Sequence, residues 1–322
     1  MSSAIPAIAR AMLKRNGLNA WLGRRIADIM GQTPQIRPSL DQPPPSAAEL
    51  LLLDEIEPDR FRARHNLDNY AGATFGGQQL GQSLAAAART APGWPASQAS
   101  GLFLRSGRLD QPIDFVVERV NDGRRFAQRR VLASQDGRAI FDFQCTFHAR
   151  EEGPAHQFAQ AGNAISPEKL RPLPDLVAHT DLLPDTLRRI FAMPFPVELR
   201  PAKPEGLFDG PGSPTRDLWM RIPSAEGMRE EADHQALLLL LSDYWLAGAA
   251  AAPHGGPGRT FLVTSLNHAI WLHAPAHLNQ WLLFRIDSDW ANHGRGLARG
   301  MLFAQDGRLV ATVMQEALLR PL

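Results

Sequence analysis

Cysteine is nearly absent from this sequence, in which Cys145 is the only one among 322 residues. A chain with one cysteine cannot form an internal disulfide, and it cannot build a structural zinc site that needs two or more thiolates. The first residues also lack the charged, apolar and small-residue segments of a secretory signal peptide. A reducing compartment is therefore the expected surroundings, and we predict a cytoplasmic location.

An excess of charge is missing as well, since 34 Lys and Arg residues are matched by 33 Asp and Glu residues. A net charge of +1 gives no overall attraction to nucleic acid, so no nucleic-acid partner is expected. The sequence has no G-x-G-x-x-G dinucleotide fingerprint. The histidines His148, His156 and His179 are not spaced as metal ligands. We predict neither a metal nor a cofactor.

The apolar stretch at 232–252 is interrupted by Ser242 and Asp243. It is too short and too interrupted for a membrane span, which needs about 20 predominantly apolar residues. Alanine and leucine favour a helix, and a helix that is apolar all round is buried all round. We therefore predict one buried helix over 232–252, with Asp243 inside the core or at the edge of a pocket.

A buried carboxylate is costly unless it has polar partners or a raised pKa. Asp243 is therefore expected to have polar neighbours supplied by the rest of the chain. The alternative is a structural role, in which Asp243 only accepts hydrogen bonds from nearby backbone amides.

The first 47 residues are expected to form an extension outside the folded body. Residues 5–30 alternate apolar and basic side chains, which predicts short amphipathic helices separated near Gly17. Such a segment can lie on an anionic membrane surface or dock on its own domain or on a partner subunit. Docking is favoured because the apolar face is short. Residues 33–46 are rich in proline and predict a semi-rigid linker.

In the first half of the body, residues 48–150, the stretch 51–64 predicts either a strand pair or a strand with a turn at Pro58-Asp59. Gly76 and Gly77 then open a helix within 70–91. Glycines at that place let another backbone approach and leave helix N–H groups unpaired. Turn residues separate four further strands, which are predicted at 102–104, 114–120, 126–134 and 140–149.

Residues 151–190 are irregular and spaced by prolines, which predicts a connector with one short helix at 186–191. The second half, residues 191–322, contains the apolar helix after two predicted strands at 196–200 and 218–222. Five strands are predicted after the helix, at 261–265, 268–273, 280–287, 296–304 and 309–319.

The second half repeats the first. The tetrapeptide Gln-Asp-Gly-Arg at 135–138 recurs at 305–308, and a long helix precedes the strand series in both halves. A long-range repeat of this kind indicates an internal duplication. The duplicated unit is a long helix wrapped by an antiparallel sheet, which makes the fold class α+β. Two such units can pair into one continuous sheet that hides two edges.

Motifs in both halves resemble the acyl-CoA thioesterase II family. They are Phe75-Gly76-Gly77-Gln78, Gly81-Gln82, Phe103-Leu104-Arg105, Ser242-Asp243, Asn267-His268 to Trp271, and Val313-Met314-Gln315-Glu316. The resemblance covers roughly residues 48–322. It implies a double hot-dog fold, with two antiparallel sheets, each wrapped round a long central helix, joined into one continuous sheet. It also implies hydrolysis of fatty acyl-CoA and a homodimer or larger assembly.

By position, the resemblance implies that Asp243, Ser265 and Gln315 hold the attacking water. Thr264 offers the same hydroxyl chemistry beside Ser265. Only one of the two can face the helix, because side chains alternate along a strand. Ser265 and Gln315 have a simpler alternative role, in which they only neutralise Asp243.

Asp243 is the expected general base if burial keeps its pKa high enough. Donors for the oxyanion are expected at the free N-terminal end of a helix. The candidates are Gly76, Gly77 and the backbone near His234. His268 is expected to be a core or interface residue. Two alternatives stay open for a set of arginines, which either meet the phosphates of coenzyme A or lie on a solvated sheet face: Arg124, Arg125, Arg129, Arg130, Arg295 and Arg299.

The chain departs from the family pattern at two places. Ser106-Gly107-Arg108 stands where Pro-Gly-Asp is frequent, and Asn267 stands where an Asp commonly precedes the histidine. Two other functions remain open. One is a non-hydrolytic acyl-CoA-binding or scaffold protein. The other is a hot-dog hydratase or dehydratase, which is disfavoured because Asp243 has no suitably spaced helical histidine beyond His234.

Overall fold

The computed structural model describes residues 43–322 except 64, 70–71, 182, 184–187, 189–190, 192–193, 205–206, 208–210 and 256–259. The amphipathic helices predicted within 5–30 and most of the proline-rich linker therefore lie outside the described residues. Most of the short helix predicted at 186–191 lies outside them too.

The first half has the predicted order of strand pair, long helix and strand series. A one-turn helix, α1 (Ala47–Leu50), begins at a capping box between Ser46 and Glu49. The long helix is α2 (Gly76–Arg89). The strands are β1 (Asp54–Glu57), β2 (Arg60–Ala63), β3 (Ala96–Phe103), β4 (Ile113–Asp122), β5 (Phe126–Gln135) and β6 (Arg138–His148). The start of β3 was predicted six residues too late, because its Ala, Ser and Gln residues have low strand propensity and pairing on both sides overrides it.

The second half repeats this order. After α3 (Leu173–Ala178) come the strands β7 (Glu198–Pro201) and β8 (Arg216–Arg221). The helices α4 (Glu231–Ser242) and α5 (Leu246–Ala251) follow. The remaining strands are β9 (Phe261–Leu272), β10 (Leu282–Asn292), β11 (Arg295–Ala304) and β12 (Leu309–Pro321). The strands predicted separately at 261–265 and 268–273 are one strand, β9.

The twelve strands of the described residues form one sheet, in the order β1-β2-β4-β5-β6-β3-β9-β12-β11-β10-β8-β7. The two halves join where β3 pairs with β9 in antiparallel register, with Gln98 opposite Trp271 and Gly101 opposite His268. Each half thus contributes a six-stranded antiparallel sheet, and the joining strands leave no open edge at the centre. The predicted α+β architecture is confirmed.

The two long helices lie against each other inside the sheet, and glycines make their close approach possible. A Cβ built on Gly77 would lie 2.4 Å from the Leu240 carbonyl oxygen, and one built on Gly81 would lie 2.7 Å from the Ala236 carbonyl oxygen. Any larger residue would force the backbones of α2 and α4 apart. The helix contact therefore fixes where the N-terminal end of α2 lies relative to the C-terminal end of α4.

The prediction of one continuous helix over 232–252 is wrong. The helix α4 ends at Ser242 and α5 begins at Leu246, because Trp245 adopts a left-handed conformation with φ of 69°. A residue in that region cannot continue an α-helix. By length and composition, Glu231–His254 is apolar enough to cross a membrane, but most of it is buried inside the protein. The break places Asp243 at a helix end instead of inside a helix.

Candidate active site

Asp243 caps the C-terminal end of α4 and is 9% exposed. The side-chain nitrogen of Gln315, on β12, donates hydrogen bonds to Asp243 Oδ1 at 2.6 Å and to Ser265 Oγ, on β9, at 2.7 Å. The Ser265 side chain also hydrogen-bonds the Asp243 carboxylate. The structure therefore brings the three residues into one buried polar cluster.

Strand geometry decides which of the two neighbouring hydroxyls joins the cluster. Ser265 is half-buried and contacts Gln315, whereas Thr264 is exposed. Successive side chains of a strand point to opposite faces, so Thr264 lies on the outer face of the sheet. Of the two predicted hydroxyls, only that of Ser265 lies beside Asp243.

The environment of Asp243 favours a proton-accepting carboxylate. Burial raises the pKa of its carboxyl from 3.8 to about 6. Hydrogen bonds from Gln315, the Gly77 backbone N–H and Ser265 lower the pKa without offsetting the desolvation. At neutral pH the group is ionised and more basic than a free carboxylate, as a general base requires.

The first turn of α2, from the other half of the chain, lies against the same carboxylate. A Cβ built on Gly76 would lie 2.9 Å from Asp243 Oδ2. The Gly77 backbone N–H hydrogen-bonds the carboxylate itself. Both glycines therefore lie at the site, and the positive end of the α2 dipole faces the charge of Asp243.

His234 does not lie with the other predicted residues. It is in the first turn of α4, and nine residues of helix, about 14 Å, separate it from Asp243. Its Nδ1 accepts a hydrogen bond from the Leu278 backbone N–H at 3.2 Å, and its Nε2 lies 3.1 Å from the Met228 carbonyl oxygen. The backbone near His234 therefore lies at the opposite end of α4 from Asp243, and the structure does not bring it together with the other predicted residues.

His268 lies beside Asp243, although the sequence indicated only a core or interface residue. Its ring is 1% exposed. Its Nε2 lies 2.9 Å from Ser242 Oγ, and its Nδ1 lies 3.9 Å from Asp243 Oδ1. Burial lowers the pKa of His268 to about 3, so the ring is neutral at any working pH.

A bulge explains why strand alternation did not predict the position of His268. Between β9 and β12, Ser265 pairs with Ala317 and Asn267 pairs with Glu316, which leaves Leu266 as an extra residue on β9. Strict alternation from an inward Ser265 would place His268 on the outer face. The extra residue resets the alternation, so both side chains face the helices.

The family departure at Asn267 lies outside this cluster. The Asn267 side-chain nitrogen donates to Glu316 Oε2 at 3.2 Å, and the Glu316 backbone N–H donates to Asn267 Oδ1 at 3.3 Å. The substitution therefore affects a contact between β9 and β12 and leaves the neighbours of Asp243 in place.

The arginines considered for coenzyme A are mostly paired within the sheet. Arg129 is buried and donates hydrogen bonds to Thr90, Asn121, Gln128 and Asp122, so it is a structural residue. Four others form exposed ion pairs, which are Arg125 with Glu151, Arg130 with Asp142, Arg295 with Glu316 and Arg299 with Asp287. These four arginines therefore lie on a solvated face of the sheet, which is the second of the two alternatives that the sequence left open.

An apolar cavity of about 480 Å³ lies beside the residue that follows Asp243. Its walls include Tyr244, Phe195, Val197 and Leu199 together with several prolines. The Tyr244 and Phe195 rings stack at 4.7 Å, and the ring of Phe75, next to Gly76, meets both edge-on. An aromatic cluster thus lies between the cavity and the first turn of α2.

Within the described ranges, no three His, Cys, Asp or Glu side chains are grouped so that they could hold a metal ion. Cys145 is free and buried, and burial raises the pKa of its thiol to about 12. The thiol is therefore uncharged and is no nucleophile. The reactive groups of the described site are the carboxylate, the hydroxyl and the amide.

Two protein-family models match this chain. Residues 64–148 match the acyl-CoA thioesterase N-terminal domain, and residues 167–319 match the acyl-CoA thioesterase C-terminal domain. Human acyl-coenzyme A thioesterase 8 is 32% identical over 281 residues, which covers 84% of this chain and 88% of the relative. Acyl-CoA thioesterase 2 from Haemophilus influenzae is 34% identical over 277 residues, which covers 84% and 96%.

Solved structures agree with the sequence relatives. Acyl-CoA thioesterase II TesB2 from Mycobacterium marinum superposes with a TM-score of 0.69 at 31% identity, covering 86% of this chain and 97% of that one. A hot-dog protein of unknown function from Alicyclobacillus acidocaldarius superposes at 0.68 with 17% identity, covering 85% and 97%, and supports the fold alone. Because the models span both halves and the relatives cover most of the chain, the protein belongs to the acyl-CoA thioesterase II family.

Proposed function

We propose that the protein hydrolyses acyl-CoA to the free acid and coenzyme A, with Asp243 as the general base. The observation that carries the assignment is the buried cluster in which Gln315 hydrogen-bonds both Asp243 and Ser265. A buried carboxylate without such partners would take up a proton and could not act as a base. Membership of the family supports the reaction, and the cluster supports the choice of residues.

In the proposed reaction, a water hydrogen-bonded to Asp243, with Ser265 and Gln315 as further partners, attacks the thioester carbonyl carbon. Asp243 takes the proton of this water as the new C–O bond forms. The Gly77 N–H donates to Asp243, and the neighbouring backbone N–H groups in the first turn of α2, which have no acceptor within the helix, stabilise the negative charge on the carbonyl oxygen. The C–S bond then breaks, and the proton held by Asp243 passes to the departing thiolate.

The direct test is release of free thiol from a panel of acyl-CoA substrates of different chain length. We expect turnover with at least part of the panel, and a loss of about 100-fold or more in Asp243→Asn, the scale of general-base catalysis. Absence of turnover with every chain length would overturn the proposal. Tight binding of acyl-CoA without hydrolysis would favour the alternative, a non-hydrolytic acyl-CoA-binding or scaffold protein.

We further propose that the apolar cavity beside Tyr244 receives the fatty acyl chain. Its volume of about 480 Å³ falls within the range of small-molecule sites, which are mostly apolar. Phe75 lies between the cavity and the glycines of the site, because it precedes Gly76 in the chain and its ring centroid is 6.1 Å from that of Tyr244. An acyl chain lodged there would bring the thioester close to the first turn of α2.

We propose a homodimer or larger assembly that uses the outer face of the sheet. Large apolar side chains on neighbouring central strands are exposed there, namely Leu102, Trp271, Leu297 and Met314. Strand register supports a common face, because Met314 pairs with Ala269, two residues from Trp271. Light scattering after size exclusion should give a multiple of the chain mass, which Trp271→Glu should reduce. A monomeric wild type would contradict the proposal.

We propose a cytoplasmic location, in keeping with the single free thiol of Cys145. Cell fractionation tests the location.

We also propose a weak partner or membrane contact through residues 5–30. For the contact, co-sedimentation with anionic vesicles is compared for the full chain and for a chain without residues 1–42. Equal sedimentation of the two would argue against a membrane role.

A further inference from the structure

His268 is a buried residue of the site to which the proposed reaction gives no role. Within the described residues, its Nδ1 has no hydrogen-bond partner by ordinary geometry, and neither has the side-chain oxygen of Gln315. Nearly all buried polar atoms in proteins are paired, because an unpaired one loses its water without compensation. Two unpaired atoms in one cluster therefore require an explanation.

The two unpaired atoms belong to neighbouring side chains. His268 on β9 and Gln315 on β12 are opposite each other in the strand register, so their side chains are cross-strand neighbours on one face of the sheet, and the Gln315 side chain raises the pKa of the His268 ring. A neutral imidazole has one proton, which is on either Nδ1 or Nε2. The position of this proton decides whether the histidine and the amide oxygen repel or bind each other.

With the proton on Nε2, His268 Nδ1 and Gln315 Oε1 are both acceptors, and neither can donate to the other. With the proton on Nδ1, the ring has a donor that a small side-chain rotation can direct to Gln315 Oε1, and Nε2 accepts from the Ser242 hydroxyl, 2.9 Å away. The Ser242 hydrogen has one alternative, the Leu239 carbonyl oxygen at 2.8 Å. Only the Nδ1–H tautomer makes one of these two unpaired atoms a donor and the other an acceptor, so that they can pair, and it is therefore the favoured form.

We propose that His268 is a positioning residue whose Nδ1–H tautomer holds the Gln315 amide with its nitrogen toward Asp243 and Ser265. The inference rests on the proposed function, because it assigns Gln315 to the site of hydrolysis. An amide turned by half a rotation would place its oxygen against the Asp243 carboxylate, where two acceptors repel. The hydrogen bond from His268 stabilises the productive orientation, and the Ser242 hydroxyl stabilises the tautomer.

Two substitutions separate this role from packing. His268→Asn keeps an amide near the position of Nδ1, so it can still donate to Gln315. His268→Gln places its amide near the position of Nε2 and leaves Gln315 Oε1 without a donor. We expect His268→Gln to lower kcat by roughly 10- to 100-fold with little change in KM, and His268→Asn to keep most of kcat. Equal losses of kcat in the two variants, or losses that follow Tm, would overturn the proposal.

The matched control is His273→Asn, directly after the end of β9, whose exposed ring contacts Thr312 at 2.9 Å. It should leave kcat and KM unchanged. The tautomer is read directly from the ring ¹⁵N shifts of His268, assigned by comparison with the spectrum of His268→Asn. A protonated Nδ1 supports the proposal, and a protonated Nε2 overturns it.

Asp243→Asn is measured in the same series to separate two kinds of failure. Full activity in Asp243→Asn would overturn the proposed base, and with it the reason for positioning Gln315. Loss of activity in Asp243→Asn together with full activity in His268→Gln would overturn the role of His268 alone.

Discussion

Gly76 and Asp243 come from opposite halves of the chain and touch so closely that Gly76 has no room for a side chain. A Cβ built on Gly76 would lie 2.9 Å from Asp243 Oδ2 and 2.9 Å from the Phe103 ring. The carboxylate therefore packs directly against the N-terminal end of α2, where the helix dipole favours negative charge. Although its three polar side chains belong to the second half, the site needs the first half to be complete.

Gly76→Ala tests this contact. The added methyl must displace either the carboxylate or the ring of Phe103, and a shift of about 1 Å in a catalytic group can cost as much as 100-fold in rate. We expect kcat/KM to fall by roughly 10- to 100-fold in thiol-release assays. Gly153→Ala is the control, since a Cβ there meets nothing within 4 Å. Unchanged activity in Gly76→Ala would show that the contact does not matter.

The raised pKa of Asp243 predicts how activity depends on pH. A general base works only when ionised, so log kcat/KM should fall with unit slope below a pKa of about 6. The hydrogen bond from Ser265 lowers this pKa. Ser265→Ala should therefore move the acid limb to higher pH, whereas Thr264→Ala should leave it in place. An acid limb near pH 4 in the wild type would mean that the base is an exposed carboxyl.

Asp243→Asn should be inactive but more stable than the wild type at neutral pH. The folded-state pKa is raised from 3.8 to about 6, so folding favours the protonated acid, and stability is lost as pH rises between these values. The loss is on the order of 3 kcal/mol at 1.36 kcal/mol per pKa unit. Urea unfolding of both proteins at pH 4 and pH 7.5 measures it. We expect the advantage of Asn to appear only at the higher pH, and an advantage independent of pH would contradict the assignment.

The order of helices and strands could be predicted because the apolar residues of each half recur at the spacing of a helix or of a strand. The second half also repeats the first. The break at Trp245 could not be predicted, since alanine and leucine on both sides favour a helix and the left-handed turn comes from tertiary packing. The full length of β3 could not be predicted for a similar reason. Its small residues have low strand propensity, and they form a strand because β3 pairs with β6 on one side and β9 on the other.

The residues of the candidate site could likewise be predicted only in part from the sequence. Asp243 was recognisable as a carboxylate inside an apolar run, and Ser265 and Gln315 followed from the family resemblance. The sequence predicts His268 only as a core or interface residue, and its contact with the site depends on the bulge at Leu266, which has no clear signal in the sequence. The backbone near His234 is a candidate in the sequence because it begins the apolar helix, whose first N–H groups are free, but Asp243 lies at the other end of that helix. Antiparallel packing brings the N-terminal end of α2 there instead.

Arg129 should prove structural, although its type and position suggested a phosphate contact. Its guanidinium is buried and donates to Thr90 Oγ1 at 2.7 Å and to the backbone carbonyl oxygens of Thr90, Asn121 and Gln128. Arg129→Met should lower the free energy of unfolding by at least about 3 kcal/mol, because several bonds from a charged donor are lost. KM for acyl-CoA should not change. A raised KM in Arg129→Met at an unchanged free energy of unfolding would instead indicate that Arg129 contacts a phosphate of coenzyme A.

Val197→Phe tests whether the cavity beside Tyr244 holds the acyl chain. Val197 lines the cavity, so the added ring should exclude the distal carbons of a long substrate and leave a short one unaffected. Each methylene removed from the apolar site costs about 0.8 kcal/mol, so excluding three or four should lower kcat/KM by roughly 50- to 200-fold for long chains. Val120→Phe, at an exposed position of β4, is the control and should keep the chain-length profile. An equal loss for short and long substrates in Val197→Phe would place the acyl chain elsewhere.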